Sequence, residues 1–249
     1  RFYTLFLINK LSREAWQRFI VLLSHFWNKK GRLKLNLIKL EVTLVKKICK
    51  RGVPEAISQL TTPVTALCYN IMLASLVGDI GVSTFSVLSF IYSLANAILS
   101  GVAQGLQPLW GNSYGKKDTG EINWLFRCGI IINLVLSALI YSALFFFDKP
   151  VICIFNSDTE LVQTASKALP LFSLSFIPMA LNLIYTSFLY STKRTKQSNV
   201  IAVSRGIIIK AMAICSIPML FGKEVIWVAP FIAETITLII AIIITKHTK

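Results

Sequence analysis

The chain has 249 residues, 55% of them hydrophobic and 15% charged, with 26 Lys+Arg against 11 Asp+Glu for a formal net charge of +15. A water-soluble domain carries charge on about a quarter of its residues, and a nucleic-acid binder gathers its basic residues on one polar stripe. Here the charges sit in short blocks between long apolar runs, which excludes both classes. The composition predicts an all-α, polytopic transmembrane helical bundle with the lipid bilayer as its solvent and no nucleic-acid partner.

Residues 1–11 are mixed and define no element. Residues 15–27 (AWQRFIVLLSHFW) are apolar but short of the roughly 20 residues a spanning helix needs, so they read as the end of a preceding helix. Residues 28–51 carry nine basic side chains, among them Lys29, Lys30, Arg32, Lys46, Lys47 and Arg51. Their apolar spacing fits an amphipathic connector on the membrane surface, and a solvated loop that only sets topology is the alternative. Two domains are expected, 1–51 as helix remnant and basic cytoplasmic crossover, and 52–249 as a six-helix lobe. The chain opens at Arg1 with no signal pattern, which predicts the second half of a longer protein.

Six apolar spans follow, near 54–77, 83–110, 122–147, 161–190, 199–221 and 226–245. Pro63 is expected to bend the first, Pro170 and Pro178 to interrupt the fourth, Pro218 to end the fifth and Pro230 to break the sixth. At 101–118, Gly105 and Pro108 are expected to close the second span, and Gly111 to Gly115 to turn the chain towards Lys116, Lys117 and Asp118. Gln104 and Gln107 share one helix face. Because two amides facing lipid are costly, that face is expected to meet protein or a wet cavity.

The connectors alternate in charge. Sixteen basic residues fall in those assigned inside and only Lys149 and Lys223 in those assigned outside. Six crossings with a cytoplasmic C-terminus satisfy this pattern.

The sequence has no P-loop, no G-x-S-x-G and no H-E-x-x-H, so no enzyme activity, bound cofactor or metal site is expected. Cys49, Cys68, Cys128, Cys153 and Cys215 stand singly and read as buried free thiols. The informative groups are two charges at depth, Lys210 in the fifth span and Glu234 in the sixth. Counted along antiparallel neighbours they lie roughly 16 and 12 Å from the outer surface, and a lone charge there costs about 3 kcal/mol. A buried pair is expected. It is either a static bridge or a site where a proton or cation biases the helices between two states. Gln59, Asn70, Asn96, Gln104, Gln107, Asn133, Asn182 and Tyr185 are candidates to line a substrate or ion pathway, or to bond helix to helix. Tyr69, Met72, Phe90, Met179 and Phe188 offer adaptable apolar surface that suits bulky cations.

The stretch from Gly101 through Gln104-Gly105 and Gln107-Pro108 to Tyr114-Gly115 resembles the motif closing the second helix in the C-terminal half of multidrug and toxic compound extrusion (MATE) transporters. Gly52-Val53-Pro54 resembles the family's G-x-P opening of the seventh helix. Arg205, Phe221-Gly222, Trp227, Pro230 and Ala233-Glu234 resemble its closing pattern, with Ile226 where a glycine is usual. The resemblance implies the C-terminal lobe of a MATE-type fold in the cell inner (plasma) membrane. It implies efflux of small-molecule drugs or organic cations by alternating access, in exchange for H⁺ or Na⁺. It implies a partnering N-terminal six-helix half that this chain lacks. A carboxylate that some members carry within the seventh helix is absent, since that stretch reads Gln59, Leu60, Thr61, Thr62 and Pro63. A lipid-linked oligosaccharide flippase of the same superfamily, which would want more deep cationic residues than Lys210, and an inactive truncated membrane fragment are the other readings.

Overall fold

A computed structural model describes residues 41–43, 45–46, 64–194, 197–198, 200–201 and 209–246. The chain divides into two compact units, Arg1–Cys49 and Lys50–Lys249. In the first, the Val45 amide donates to the Glu41 carbonyl at 3.1 Å. The second holds every element that follows, and all its described regular structure is helical. Helix α1 is Val64–Leu76. Next come α2 Asp79–Gly115, α3 Thr119–Phe146 and the short α4 Asp148–Cys153, then α5 Thr159–Ser173 and α6 Phe176–Ser191. Lys210–Phe221 is α7, a 3-10 turn covers Lys223–Trp227, and Ala229–Lys246 is α8.

By length and apolar character, α2, α3 and Val225–Thr245 suffice to cross a membrane, and α5 with α6 makes a fourth crossing if the bent pair is one span. The starts of the first and fifth predicted spans, with Pro54, Pro63, Gln59 and Arg205, lie outside the described residues.

The outward surface explains why the bundle belongs in lipid. Phe90, Leu94 and Ile98 on α2 and Ile131, Val135 and Leu139 on α3 repeat at i, i+4 and are all exposed. The buried face of α3 instead carries Gly129, Asn133 and Ser137. Small and polar side chains inside with large apolar ones outside is the distribution expected when helices meet by close contact and hydrogen bonds rather than by escape from water. Asn133 shows it: its Nδ2 donates to the carbonyls of Leu99 at 3.3 Å and Ala180 at 3.0 Å, tying α3 to α2 and α6. Helix α2 packs on α3, α5 and α6, and α8 packs on α6 and α7. The largest core cluster runs from Tyr69 and Leu88 to Phe172, Phe176, Ile226 and Trp227.

Four expectations about helix ends and bends are corrected. Pro108 and Gly105 do not close α2, which continues to Gly115 with Pro108 inside it. The re-aiming turn is instead Lys116 to Asp118. There Lys117 takes a left-handed φ of 60°, the Asp118 amide reaches back to the Ser113 carbonyl at 3.0 Å, and the Asp118 side chain caps the next helix by accepting from the Glu121 amide. This is a Schellman-type stop with a lysine where glycine is the common choice. Pro218 does not end α7 either: the helix runs to Phe221 and stops at Gly222, whose φ is 93°. Pro230 does not break the last span but sits in the first turn of α8, where its missing N–H is harmless.

The expected interruption of the fourth span falls between Ser173 and Phe176, as a 41° bend. Pro178 has no N–H for the Leu174 carbonyl four residues back. Ser175 Oγ donates to the Phe172 carbonyl at 2.7 Å and Ser173 Oγ to that of Pro170 at 3.3 Å, so hydroxyls occupy carbonyls at the break. Among the described residues Cys68, Cys128, Cys153 and Cys215 are free, but Cys153 and Cys215 are exposed on the bundle surface rather than buried, and Cys49 lies outside the described residues. An apolar solvent removes the pressure to hide a thiol.

Candidate functional site

The site begins with two charges on the neighbouring helices α7 and α8. Lys210 Nζ lies 3.0 Å from Glu234 Oε1, with the glutamate fully buried and the lysine side chain 16% exposed. Nζ also donates to Tyr92 Oη at 3.2 Å and stands 5.3 Å from the centroid of that ring. The second carboxylate oxygen is engaged too. Asn182 Nδ2 on α6 donates to Glu234 Oε2 at 2.8 Å and to the Glu234 backbone carbonyl at 2.9 Å. Three helices therefore meet at one carboxylate, and α2 joins them through the contact of Tyr92 with Lys210.

Each contact offsets a desolvation cost. A buried carboxylate is tolerated when it is paired and its remaining lone pairs accept hydrogen bonds, and this one has a cation on one oxygen and an amide on the other. Besides Oε1, the ammonium contacts the Tyr92 hydroxyl and ring. Asn182 Oδ1 is buried with no hydrogen-bond partner, so an acceptor lies unused beside the carboxylate.

Beside the pair lies a cavity of about 160 Å³, walled by Tyr69, Phe85, Tyr92 and Phe172, with Lys210 and Ser93 among its other lining residues. Tyr69 and Phe85 stack with centroids 4.5 Å apart, and Tyr92 meets Phe172 edge-on at 6.2 Å. Glu234 and Asn182 do not line this space.

Of the predicted site residues, the structure joins Lys210, Glu234 and Asn182. It does not bring the others to them. Tyr185 packs edge-on against Phe126 at 5.2 Å. Asn70 is half-buried on α1 and does not line the cavity. Gln107 is half-buried and its Nε2 donates to Ser187 Oγ at 3.3 Å. Gln104 is exposed on the surface of the chain, so the expectation that both amides meet one protein face or wet cavity holds only for Gln107. Gln59 lies outside the described residues.

The five side chains expected to offer adaptable surface do not share one. Phe90 faces outward, Met179 is fully buried in the core, and Phe188 meets Trp110 edge-on and Phe126 at a tilt. Tyr92 is the contact that sequence reasoning missed. Its signal was present in Ser86, Ser89 and Ser93, which recur at helical spacing around it in an otherwise apolar run.

Residues 54–216 match the family model MatE. Among curated relatives, the multidrug export protein MepA of Staphylococcus saprophyticus subsp. saprophyticus is 22% identical over 219 residues, covering 85% of this chain and 46% of the relative. MepA of Staphylococcus aureus strain NCTC 8325 is 23% identical over 214 residues, with the same shares. The chain thus spans about half the length of the curated relatives it matches. Among solved structures, an outward-facing multidrug resistance MATE family transporter of the MOP superfamily superposes with a TM-score of 0.78 at 14% identity, covering 90% of this chain and 51% of that one. An inward-facing counterpart gives 0.76 at 15% identity, with shares of 90% and 53%. A MOP superfamily transporter from Pyrococcus furiosus, described as having a binding pocket of reverse polarity, gives 0.76 at 16% identity, with shares of 90% and 51%. At these identities the likeness to solved structures speaks for the fold alone.

Proposed function

This chain belongs to the MatE family, and from that premise we propose that it supplies the C-terminal half of a multidrug exporter. Residues 52–249 form the lobe, crossing the plasma membrane six times with the C-terminus in the cytoplasm, and residues 1–51 form the end of a preceding helix and the basic crossover from an N-terminal six-helix half. Small-molecule drugs or organic cations leave by alternating access between the two halves, in exchange for H⁺ or Na⁺. The role is transport rather than catalysis.

The observation that supports this reading is the carboxylate of Glu234, fully buried and held by Lys210 and Asn182. An ionisable group at membrane depth is functional by default, and this one links three helices directly, with α2 joined through Lys210. When a proton or cation takes Glu234, Lys210 gives up Oε1, and the packing of α8 against α6 and α7 changes with it. That supplies the two arrangements an exchanger needs. Gln104, Gln107, Asn70 and Tyr185 belong, in this reading, to the surface that meets the substrate path from outside the ion pair.

The test is Glu234→Gln in the complete exporter, reading drug accumulation with sodium and pH gradients imposed separately. Glutamine keeps the size of the side chain but cannot bind the coupling ion as a carboxylate does. Drug-driven ion exchange is expected to collapse. Coupling that survives unaltered removes Glu234 from the mechanism.

A further inference from the structure

A second cavity, of about 430 Å³, lies at the end of the bundle where α5 begins, and Glu160, Gln163, Thr164, Lys167 and Leu171 of that helix line it. These positions recur three or four apart, so they form one helix face, and all but Thr164 are exposed. The other face of α5, with Leu161, Ala165, Ala168 and Phe172, is buried in the bundle. Asp158 caps the start of the helix. From that end inward the groove face runs acid, amide and hydroxyl, lysine, leucine.

Two of these groups are charges without a protein counter-ion. The hydrogen bonds of Glu160 run through its backbone, whose amide donates to Asp158 and whose carbonyl accepts from Thr164 Oγ1. Among the described residues neither the Glu160 carboxylate nor the Lys167 ammonium forms an ion pair. Seven positions separate them, roughly 10 Å along the axis, too far for a direct bridge and close enough for one short dipolar group to meet both. Lys167 lies in the first arm of the bent α5–α6 span, where a lone cation is costly and calls for a partner. Helical side chains lean towards the N-terminal end and lysines snorkel to the membrane boundary, so this ammonium belongs at the level of lipid phosphates. Glu160, two turns further out, belongs among the headgroup amines. Leu171 one turn deeper and the half-buried Val77 supply apolar surface, and Trp227, which also lines the groove, is a residue type that gathers at this boundary.

We propose that this groove holds one glycerophospholipid with a primary-amine headgroup of the ethanolamine type, its phosphate on Lys167, its ammonium on Glu160 and an acyl chain along Leu171 and Val77. The two charges select the headgroup. A phosphoglycerol lipid satisfies Lys167 and offers the carboxylate no cation. A choline lipid brings a cation without N–H donors, and so lacks the charge-assisted hydrogen bonds that an ammonium gives to a carboxylate. Among the described residues the groove shares no lining residue with the cavity beside Lys210. Its occupancy is read without transport, so the assignment stands or falls apart from the export reading.

The test loads the full chain from vesicles of dioleoyl phosphatidylethanolamine, phosphatidylcholine and phosphatidylglycerol in equal parts, and reads the lipid retained in detergent by native mass spectrometry. One ethanolamine lipid is expected to be retained in preference to the other two. Lys167→Gln is expected to weaken that retention about tenfold or more, as loss of a hydrogen bond to a charged group does. Glu160→Gln is expected to erase the preference for ethanolamine over choline and glycerol. Both positions are exposed, and circular dichroism confirms that the variants are folded. Equal retention of the three lipids, as an unselective lipid coat gives, would overturn the assignment, and so would unchanged retention in Lys167→Gln or unchanged preference in Glu160→Gln. Displacement by soluble phosphoethanolamine at matching concentration would overturn the lipid as the source. Loss of the lipid in the complete exporter would make the N-terminal half the occupant instead.

Discussion

Asn182 and Glu234 are bound twice through a single amide nitrogen, which donates to the carboxylate at 2.8 Å and to the backbone carbonyl of the same residue at 2.9 Å. The side chain of Glu234 and the backbone of α8 are therefore fixed to α6 together. Asn182→Leu keeps the volume and removes both donors. The stranded acceptors are expected to lower stability by about 1–3 kcal/mol, read as a fall in unfolding temperature in detergent. An unchanged temperature would mean that water replaces the amide at no cost.

Removing Lys210 leaves a buried carboxylate without its cation. Lys210→Met is expected to cost about 3–5 kcal/mol, the usual penalty for orphaning one member of a buried pair. Adding Glu234→Gln should restore most of that loss, since the neutral amide needs no counter-charge. A double-mutant cycle on thermal unfolding measures the coupling. Simply additive losses would show that the two charges do not stabilise each other.

At Gly129, α3 packs tightly against α2 and α6. A Cβ there would lie 2.7 Å from Leu106 Cδ1 and 3.4 Å from Ile184 Cδ1. Leu106 Cδ1 is the end of a flexible side chain, so Gly129→Ala is expected to be tolerated after a small rotation. Gly129→Leu forces α3 away from α2 and α6 and should cost roughly 1–3 kcal/mol. Thermal unfolding of the pair of variants checks the contrast, which would vanish if the helices were loosely packed.

Lys117 holds a left-handed φ of 60° at the end of α2. A side chain in that conformation costs roughly 1–2 kcal/mol relative to glycine. Lys117→Gly is thus expected to raise the unfolding temperature, with part of the gain offset by the extra freedom of glycine in the unfolded chain. A lower temperature would mean that the lysine charge outweighs the backbone strain.

Which features could be read beforehand follows from how each is encoded. Lys210 and Glu234 were legible because a charge in an apolar run has few ways to survive, and equal depth on adjacent spans left them each other. Asn182 was named only as a polar residue in a span, because an amide's partner depends on the facing helix and leaves no local trace. Tyr92 was hidden for the same reason. Helix ends were misjudged at Pro108, Pro218 and Pro230, where the proline lies within a helix or in its first turn. The actual stops are left-handed backbone at Lys117 and Gly222, and a lysine in that role carries no sequence signature. The bend near Ser175 was legible because Pro170 and Pro178 bracket it.

Helix α2 has 37 residues and, straight, measures roughly 55 Å, whereas the hydrocarbon layer is about 30 Å thick. The excess has to be taken up by tilt, by a bend such as Pro108 within the helix would allow, or by extension past the hydrocarbon at an end.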